Sequence, residues 1–277
     1  MNRCRDNAGQ ALPLAGQRIL VTRPAHQAEP LCHRLQQLGA EPIRFPLLKI
    51  TPTAADAPQY PLLKQYFLDL DNYRAVIFVS ANAARLGYEW IDQYWPQLPI
   101  RIDWLAVGSA TGDCLRELGI QPCSGDGRMD SETLLQLPQL QRVEGQRILI
   151  CCGRGGRELM AETLRRRGAQ VDLAELYCRE IPEYDATEIE SIIYKSSASA
   201  MLVSSGEALT NLINLTQPHG GGVGQLAETP LVVPSQRVAE LAKQNKFNHI
   251  RVAANATDEA MIAVLMDLGA TPGKMEQ

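Results

Sequence analysis

QRILVTRPAHQAEPLCHRLQQLGAEPIRFPLLKI (residues 17–50) and QRILICCGRGGRELMAETLRRRGAQVDLAELYCR (residues 146–179) align without a gap, with nine identities in 34 positions. Average residue usage gives about two by chance. Each copy opens on a short apolar run and crosses a turn containing Pro or Gly. An amphipathic helical period then stops at a glycine (Gly39, Gly168), and extended character resumes. That is a strand, helix, strand unit present twice, so the chain is a duplication.

The rest of each half also matches. RAVIFVSANAARL from Arg74 pairs with SAMLVSSGEALTNL from Ser199, DWLAVGSATGDCL from Asp103 with TPLVVPSQRVAEL from Thr229, and DSETLLQL from Asp130 with TDEAMIAVL from Thr257. Strands alternating with helices predict parallel sheets covered on both faces. A length of 277 residues, at roughly 150 per domain, points to two domains. Residues 47–73 and 180–198 are longer than ordinary connections, which makes them candidate crossings between the domains. The halves can fold separately, or each first unit can complete the sheet of the other half. PLLKITP (46–52) and ELYCREIP (175–182) are extended in character and suit a two-stranded ladder, which tilts the choice toward exchange.

Composition removes several classes. With 45% hydrophobic and 21% charged residues the chain is neither disordered nor a coiled coil. Its 27 Lys and Arg against 31 Asp and Glu, a net charge of −4, argue against nucleic-acid binding by broad phosphate neutralisation. Seven scattered cysteines without CxxC spacing suit a reducing compartment. The polar first sixteen residues do not read as a signal peptide, and no run of about 18 apolar residues occurs. A cytoplasmic protein without a membrane segment is expected. His26, His33, His219 and His249 lack ligand spacing and read as surface or cap residues, so no metal site is expected. HGGGVG (219–224) reads as a loop. Cys151 and Cys152 end a strand just before a helix N-terminus, where a thiol pKa tends to fall, yet no histidine accompanies them in a known nucleophile pattern. No GxxxxGK[ST] occurs, and no GxGxxG with its ribose acid, which disfavours nucleotides.

Six strand-to-helix turns recur: VTRPAHQA, FVSANAA, AVGSATGD, CCGRGGREL, VSSGEAL and VVPSQRVA. Each aims helix N-terminal N–H groups out of the C-terminal edge of a sheet, where open α/β folds bind ligands. Singly, each Ser or Thr is an ordinary N-cap. Taken together with Arg23, Arg154, Arg157 and Arg237, the turns suit a large polycarboxylate held in a cleft between two domains.

ILVTRPAHQAEPL, FVSANAA, AVGSATGDCL, GRGGREL, the tyrosine of ELYCREIP, VSSGEAL and VPSQRVAEL, in that order over roughly residues 17–268, resemble uroporphyrinogen-III synthase. The resemblance implies two similar doubly wound α/β parallel-sheet domains, duplicated and segment-exchanged, joined by a two-stranded β-ladder. Domain 1 is then 17–46 plus 183–270, domain 2 is 54–174, the ladder is 47–53 and 175–182, and 1–16 is a flexible tail. It implies a cofactor-free lyase that dehydrates hydroxymethylbilane, a linear tetrapyrrole with eight carboxylates, and closes it with ring D inverted through a spiro intermediate. Tyr177 matches the family's interdomain tyrosine, a candidate general acid whose other reading is a half-buried aromatic of the ladder. Carry-over makes Ser80, Asn82, Gly108, Ser109, Thr111, Gly153, Arg154 and Arg157 substrate-binding candidates on one domain. Arg23, Gln27, Ser204, Ser205, Ser235 and Arg237 are the candidates on the other. Where AVGSATGD has Gly and Thr, VPSQRV has Pro234, which loses an N–H donor, and Arg237, which offers a charged grip on a carboxylate. A monomer is expected, with no nucleic-acid or membrane partner and with transient contact to the preceding pathway enzyme. Two other classes share these features: an anion-binding module without chemistry, and a glycosyltransferase built of two nucleotide-binding-type domains.

Overall fold

The computed structural model describes residues 12–123, 130–156, 158–216 and 224–269. The chain begins with β1 (Arg18–Val21), α1 (Ala25–Gln37) and β2 (Glu41–Arg44). Next come β3 (Lys49–Pro52), α2 (Tyr60–Leu68), β4 (Ala75–Phe78), α3 (Ala81–Tyr94), β5 (Asp103–Ala106) and α4 (Ser109–Glu117). Two short helices, α5 (Ser131–Leu135) and α6 (Pro138–Gln141), lead to the second copy of the opening unit: β6 (Arg147–Gly153), α7 (Glu158–Arg166) and β7 (Gln170–Glu180). The last third holds α8 (Ala186–Ile189), which runs into a π-helical stretch at Glu190–Lys195, then β8 (Ala200–Leu202), α9 (Gly206–Thr216), β9 (Leu231–Val233), α10 (Gln236–Gln244), β10 (Ile250–Val252) and α11 (Asp258–Gly269). The stretches 47–73 and 180–198 therefore carry helices of their own and are not bare linkers.

The chain divides into two compact units. The first holds β1, α1 and β2 together with everything from α8 onward, and the second runs from Ile50 to Arg179. The sheet of the first unit has the order β10-β9-β8-β1-β2, with every pair parallel. The second sheet has the order β3-β7-β6-β4-β5, and its β7, β6, β4 and β5 are parallel. Under the repeat, β9-β8-β1-β2 and β5-β4-β6-β7 are the same series. Each first unit of the duplication thus lies in the sheet built from the later strands of the other half, which is the exchanged assembly. The crossing strand is continuous with the second sheet. β7 spans eleven residues and pairs with β6 as far as Tyr177. On its other side Thr53 donates its N–H to the Leu176 carbonyl (2.8 Å) and its hydroxyl to the Glu175 carbonyl (2.7 Å).

Period-2 alternation builds one core on each face of each sheet. In β4, Val76 and Phe78 join the core under α2, α3 and α4, while Ala75 and Ile77 join the core under α5, α6 and α7. In the first unit Leu20, Met201 and Val233 meet α9 and α10, whereas Val21, Leu202 and Val232 meet α1 and α11. Adjacent central strands therefore send their chains to opposite faces, between β6 and β4 in one sheet and between β1 and β8 in the other. Such switch points open a crevice at the C-terminal edge. Gly39 and Gly168, both at positive φ, end α1 and α7 as the repeat predicts.

Two features depart from simple duplication. Nothing described in the second unit matches β10; a single rung, the Cys123 N–H on the Trp104 carbonyl at 2.7 Å, takes its place beside β5. Of the tail expected at 1–16, residues 1–11 lie outside the described residues. Leu14, by contrast, is fully buried with α1, and its N–H bonds Leu38.

Exchange has a direct consequence for dissection. A fragment of residues 50–179 contains one complete sheet with both its cores, and we expect cooperative urea unfolding of the isolated fragment. The sequence halves 1–145 and 146–277 each hold strands of both sheets, and each alone should lack a cooperative transition. Cooperative folding of either half by itself would contradict the exchange.

Candidate functional site

In the second unit, the edge of the switch point is organised by an irregularity in β7. Cys152 pairs with Glu175, but Gly153 pairs with Tyr177, so Leu176 is an extra residue. Such a bulge re-aims the side chains that follow it. Leu176 and Tyr177, which regular alternation would send to opposite faces, both enter the core under α3. There the Tyr177 ring packs directly against Gly153. A Cβ built on Gly153 would fall 2.6 Å from its Cε2, a distance no side chain tolerates. The Arg154 N–H donates to the Tyr177 carbonyl at 2.8 Å and holds the turn against the strand.

Tyr177 is 4% exposed, so it is a core side chain with a polar tip and is more buried than the half-buried ladder aromatic expected. Its hydroxyl lies 3.0 Å from Ser80 Oγ. Ser80 caps α3: its Oγ accepts the Ala83 N–H at 3.1 Å. The turn after β6 thereby meets the turn after β4 across the switch point.

The six turns are not equally open to an anion. In the turn after β6, the Gly155 N–H already holds a carboxylate, that of Glu175 at 2.9 Å, and the Gly156 N–H bonds the Gly153 carbonyl. Ser205 caps α9 by accepting the Ala208 N–H at 3.0 Å. Arg23 is engaged by Asp258 at 2.9 Å and by the Ala256 carbonyl, which ties the turn after β1 to the start of α11. Two helix starts stay open. At α4 the cap is Gly108, at φ +83°, with no side chain to offer. The N–H groups of Ser109, Ala110 and Thr111 have no partner among the described residues. At α10 the Ser235 side chain makes no cap bond, and the N–H groups of Gln236 and Arg237 are likewise open. These helices follow β5 and β9, equivalent strands of the repeat. The guanidiniums of Arg154 and Arg237 are exposed without a partner among the described residues.

The comparisons with known proteins agree with this geometry. The family model described as uroporphyrinogen-III synthase HemD matches residues 29–263. The uroporphyrinogen-III synthase of Escherichia coli is 35% identical over 251 residues, 89% of this chain and 99% of its own length. That of Salmonella typhimurium is 35% identical over 253 residues, again 89% and 99%.

The chain belongs to the uroporphyrinogen-III synthase family.

The fold agrees as well. A mutant uroporphyrinogen III synthase from Thermus thermophilus superposes with a TM-score of 0.56 at 16% identity, covering 91% of this chain and 98% of that one. The Helicobacter pylori enzyme gives 0.54 at 11% identity, covering 91% and 99%.

Within this family frame, the candidates of the second unit gather at one sheet edge: Ser80, Asn82, Gly108, Ser109, Thr111, Gly153, Arg154 and Tyr177. Arg157 lies outside the described residues, as do His219 and most of the loop 219–224. In the first unit Arg23, Gln27, Ser204, Ser205, Ser235 and Arg237 occupy the corresponding turns, and Arg23 is already ion-paired. Sequence reasoning missed Glu175 and Asp258, because the partner each finds lies in a turn distant along the chain and no local pattern marks it. The lowered thiol pKa expected at Cys151 and Cys152 is corrected. β6 alternation buries Cys151 in one core and Cys152 in the other, fully in each case. Burial pushes the Cys151 thiol well up and the Cys152 thiol up to about 12, the latter helped by the Glu175 charge. Among the described residues no group of three or more His, Cys, Asp or Glu converges in a way that would hold a metal ion.

A raised pKa keeps these thiols protonated at pH 8. Both should stay silent toward a disulfide reagent until the protein is unfolded, while exposed Cys123 reacts in the native state. Cys123→Ser should remove a fast phase that Cys152→Ser leaves intact; loss of the fast phase in Cys152→Ser would show that Cys152 is accessible.

Proposed function

We propose that the protein converts hydroxymethylbilane to uroporphyrinogen III as a carbon–oxygen lyase of the cytoplasm, acting as a monomer and without a cofactor. One observation carries this reading: a buried tyrosine hydroxyl is fixed at a switch point, on the same sheet edge as a helix start whose N–H donors are open. A reaction whose electrophile and nucleophile both belong to the substrate needs little more from the protein than a grip on carboxylates and one proton donor.

The steps follow from that grip. Tyr177 Oη–H protonates the departing hydroxyl of the terminal hydroxymethyl group. The C–O bond breaks with its electron pair on oxygen, water leaves, and the pyrrole nitrogen lone pair fills the vacancy as an azafulvene-type cation. The substituted carbon of ring D attacks to give a spiro intermediate. Fragmentation and recombination turn ring D around, and a ring proton lost on rearomatisation returns to Tyr177. Holding the two ends of the bilane in a near-attack geometry removes the chain entropy that unaided closure has to lose. In the second unit carboxylates are received at the start of α4, with Arg154 as a charged partner; in the first unit the start of α10 and Arg237 offer the same chemistry.

Pure protein with hydroxymethylbilane should yield the type III isomer by chromatography, where unaided closure yields type I. Folded protein that yields only type I would sink the proposal. General acid catalysis contributes about 10²–10⁴-fold, so Tyr177→Phe should lower kcat by about 10²-fold with KM little changed; unchanged turnover would return Tyr177 to a packing role.

Arg154→Ala and Arg237→Ala should instead raise KM by roughly tenfold or more, the value of one charge-assisted hydrogen bond, and leave kcat near its parental value. A KM unmoved by either change would remove that arginine from the grip.

A further inference from the structure

We propose that Ser80 is a positioning residue which acts through Tyr177 and does not itself bind a substrate carboxylate. The inference rests on the reading of Tyr177 as proton donor and extends it. Ser80 Oγ has two lone pairs and one proton. One lone pair is taken by the Ala83 N–H at 3.1 Å, and the Tyr177 hydroxyl stands 3.0 Å away. If Tyr177 donates to Ser80, the phenol proton is spent inside the protein and the serine proton is free for a carboxylate. If Ser80 donates to Tyr177, the phenol proton is free for the substrate, and the serine keeps only an acceptor lone pair, which cannot hold a carboxylate. The acid role requires the second direction at the moment of proton transfer, when the phenolate forming on Oη needs a donor already aimed at it.

Three features of the fold favour that direction. The Ala83 N–H belongs to the positive end of α3, a helix of fourteen residues, and its bond to Oγ makes the Ser80 O–H a stronger donor. The ring of Tyr177 cannot swing away, because Gly153 lies against one side of it and the α3 core encloses the rest. The backbone of Tyr177 is pinned by Arg154. The phenol oxygen is thus held to a short arc that includes Ser80 Oγ, and rotation of one serine hydroxyl suffices to reverse the hydrogen bond.

The test is a double-mutant cycle of steady-state kinetics on the full chain. Glycine is tolerated at an N-cap nearly as well as serine, so Ser80→Gly removes the hydroxyl while keeping α3, which thermal unfolding of the variant checks. The expected result is a roughly tenfold lower kcat with KM within about twofold, the worth of one hydrogen bond read in turnover. Ser80→Thr, which keeps the hydroxyl, should restore kcat. In a Tyr177→Phe background, Ser80→Gly should produce no further fall, since the group it serves is gone. Independent, multiplying losses in the double variant would overturn the proposal, as would a Ser80→Gly enzyme with raised KM and parental kcat. Both results leave the acid role of Tyr177 standing. Parental kcat in Tyr177→Phe alone fails at the earlier step and overturns the acid assignment along with this one.

Discussion

A single extra residue in β7 sets the geometry of the second unit's edge. Regular alternation would place Leu176 and Tyr177 on opposite faces of the sheet; the bulge opposite Gly153 puts both on the α3 face. Three further requirements follow from that displacement. Position 153 must lack a Cβ, because the phenol ring occupies its space. The turn after β6 must follow the strand closely, which the Arg154 N–H on the Tyr177 carbonyl achieves. The phenol tip must find a polar partner inside a core, since a buried hydroxyl without one costs roughly 1–3 kcal/mol, and Ser80 supplies it. The glycine-rich turn that looks from sequence like an anion cradle is in the structure first of all a seat for an aromatic ring.

The exchanged topology contributes to the same end. Because β6 and β7 sit beside β4 and β5, the turn carrying Gly153 and the turn carrying Ser80 border one switch point. In a sheet with the spatial order β9-β8-β1-β2, the equivalent turns carry Arg23 and Ser204, and the outcome differs. Pro24 leaves α1 without a side-chain cap, Arg23 pairs with Asp258, and the buried Thr22 hydroxyl bonds the Leu202 carbonyl at 2.7 Å to join β1 to β8. The first unit has turned this part of its edge into structure.

What was legible in the sequence is what depends on neighbours in the chain. The nine identities between 17–50 and 146–179 disclosed the duplication, and period 2 followed by period 3.6 disclosed six strand-to-helix turns, though not the one between β10 and α11, because each repeat places its apolar residues for the same two cores. Gly39 and Gly168 were readable as helix stops for the same reason. The exchange itself was not readable from periodicity, since parallel pairing such as that of Ile19 with Ala200 joins distant segments whose local patterns are identical in either assembly. The thiols misled for a related reason. Their place before a helix N-terminus is local information and argues for a low pKa, whereas their burial on the two faces of a central strand is tertiary and outweighs it. Glu175 and Asp258 were invisible because nothing in the chain near either carboxylate announces its partner, Gly155 or Arg23.

The two copies have thus diverged in a particular way. At the strand next to the switch point, one copy seats a tyrosine and gives the Gly155 N–H to Glu175, and the other pairs the Arg23 guanidinium with Asp258. One strand further out, after β5 and β9, both copies keep a helix start whose first N–H donors have no partner among the described residues, through a glycine cap at positive φ in one and, in the other, a Ser235 cap whose side chain makes no cap bond. Under the proposed function, open helix starts hold carboxylates and the tyrosine edge of the second unit serves the reacting centre. Net charge fits the same logic. At −4 the chain offers a polyanion little long-range attraction, so selectivity falls on short-range donors, whose strength depends on direction and distance. A duplicated fold provides those donors in pairs, and the bulge in β7 makes one member of the pair unlike the other.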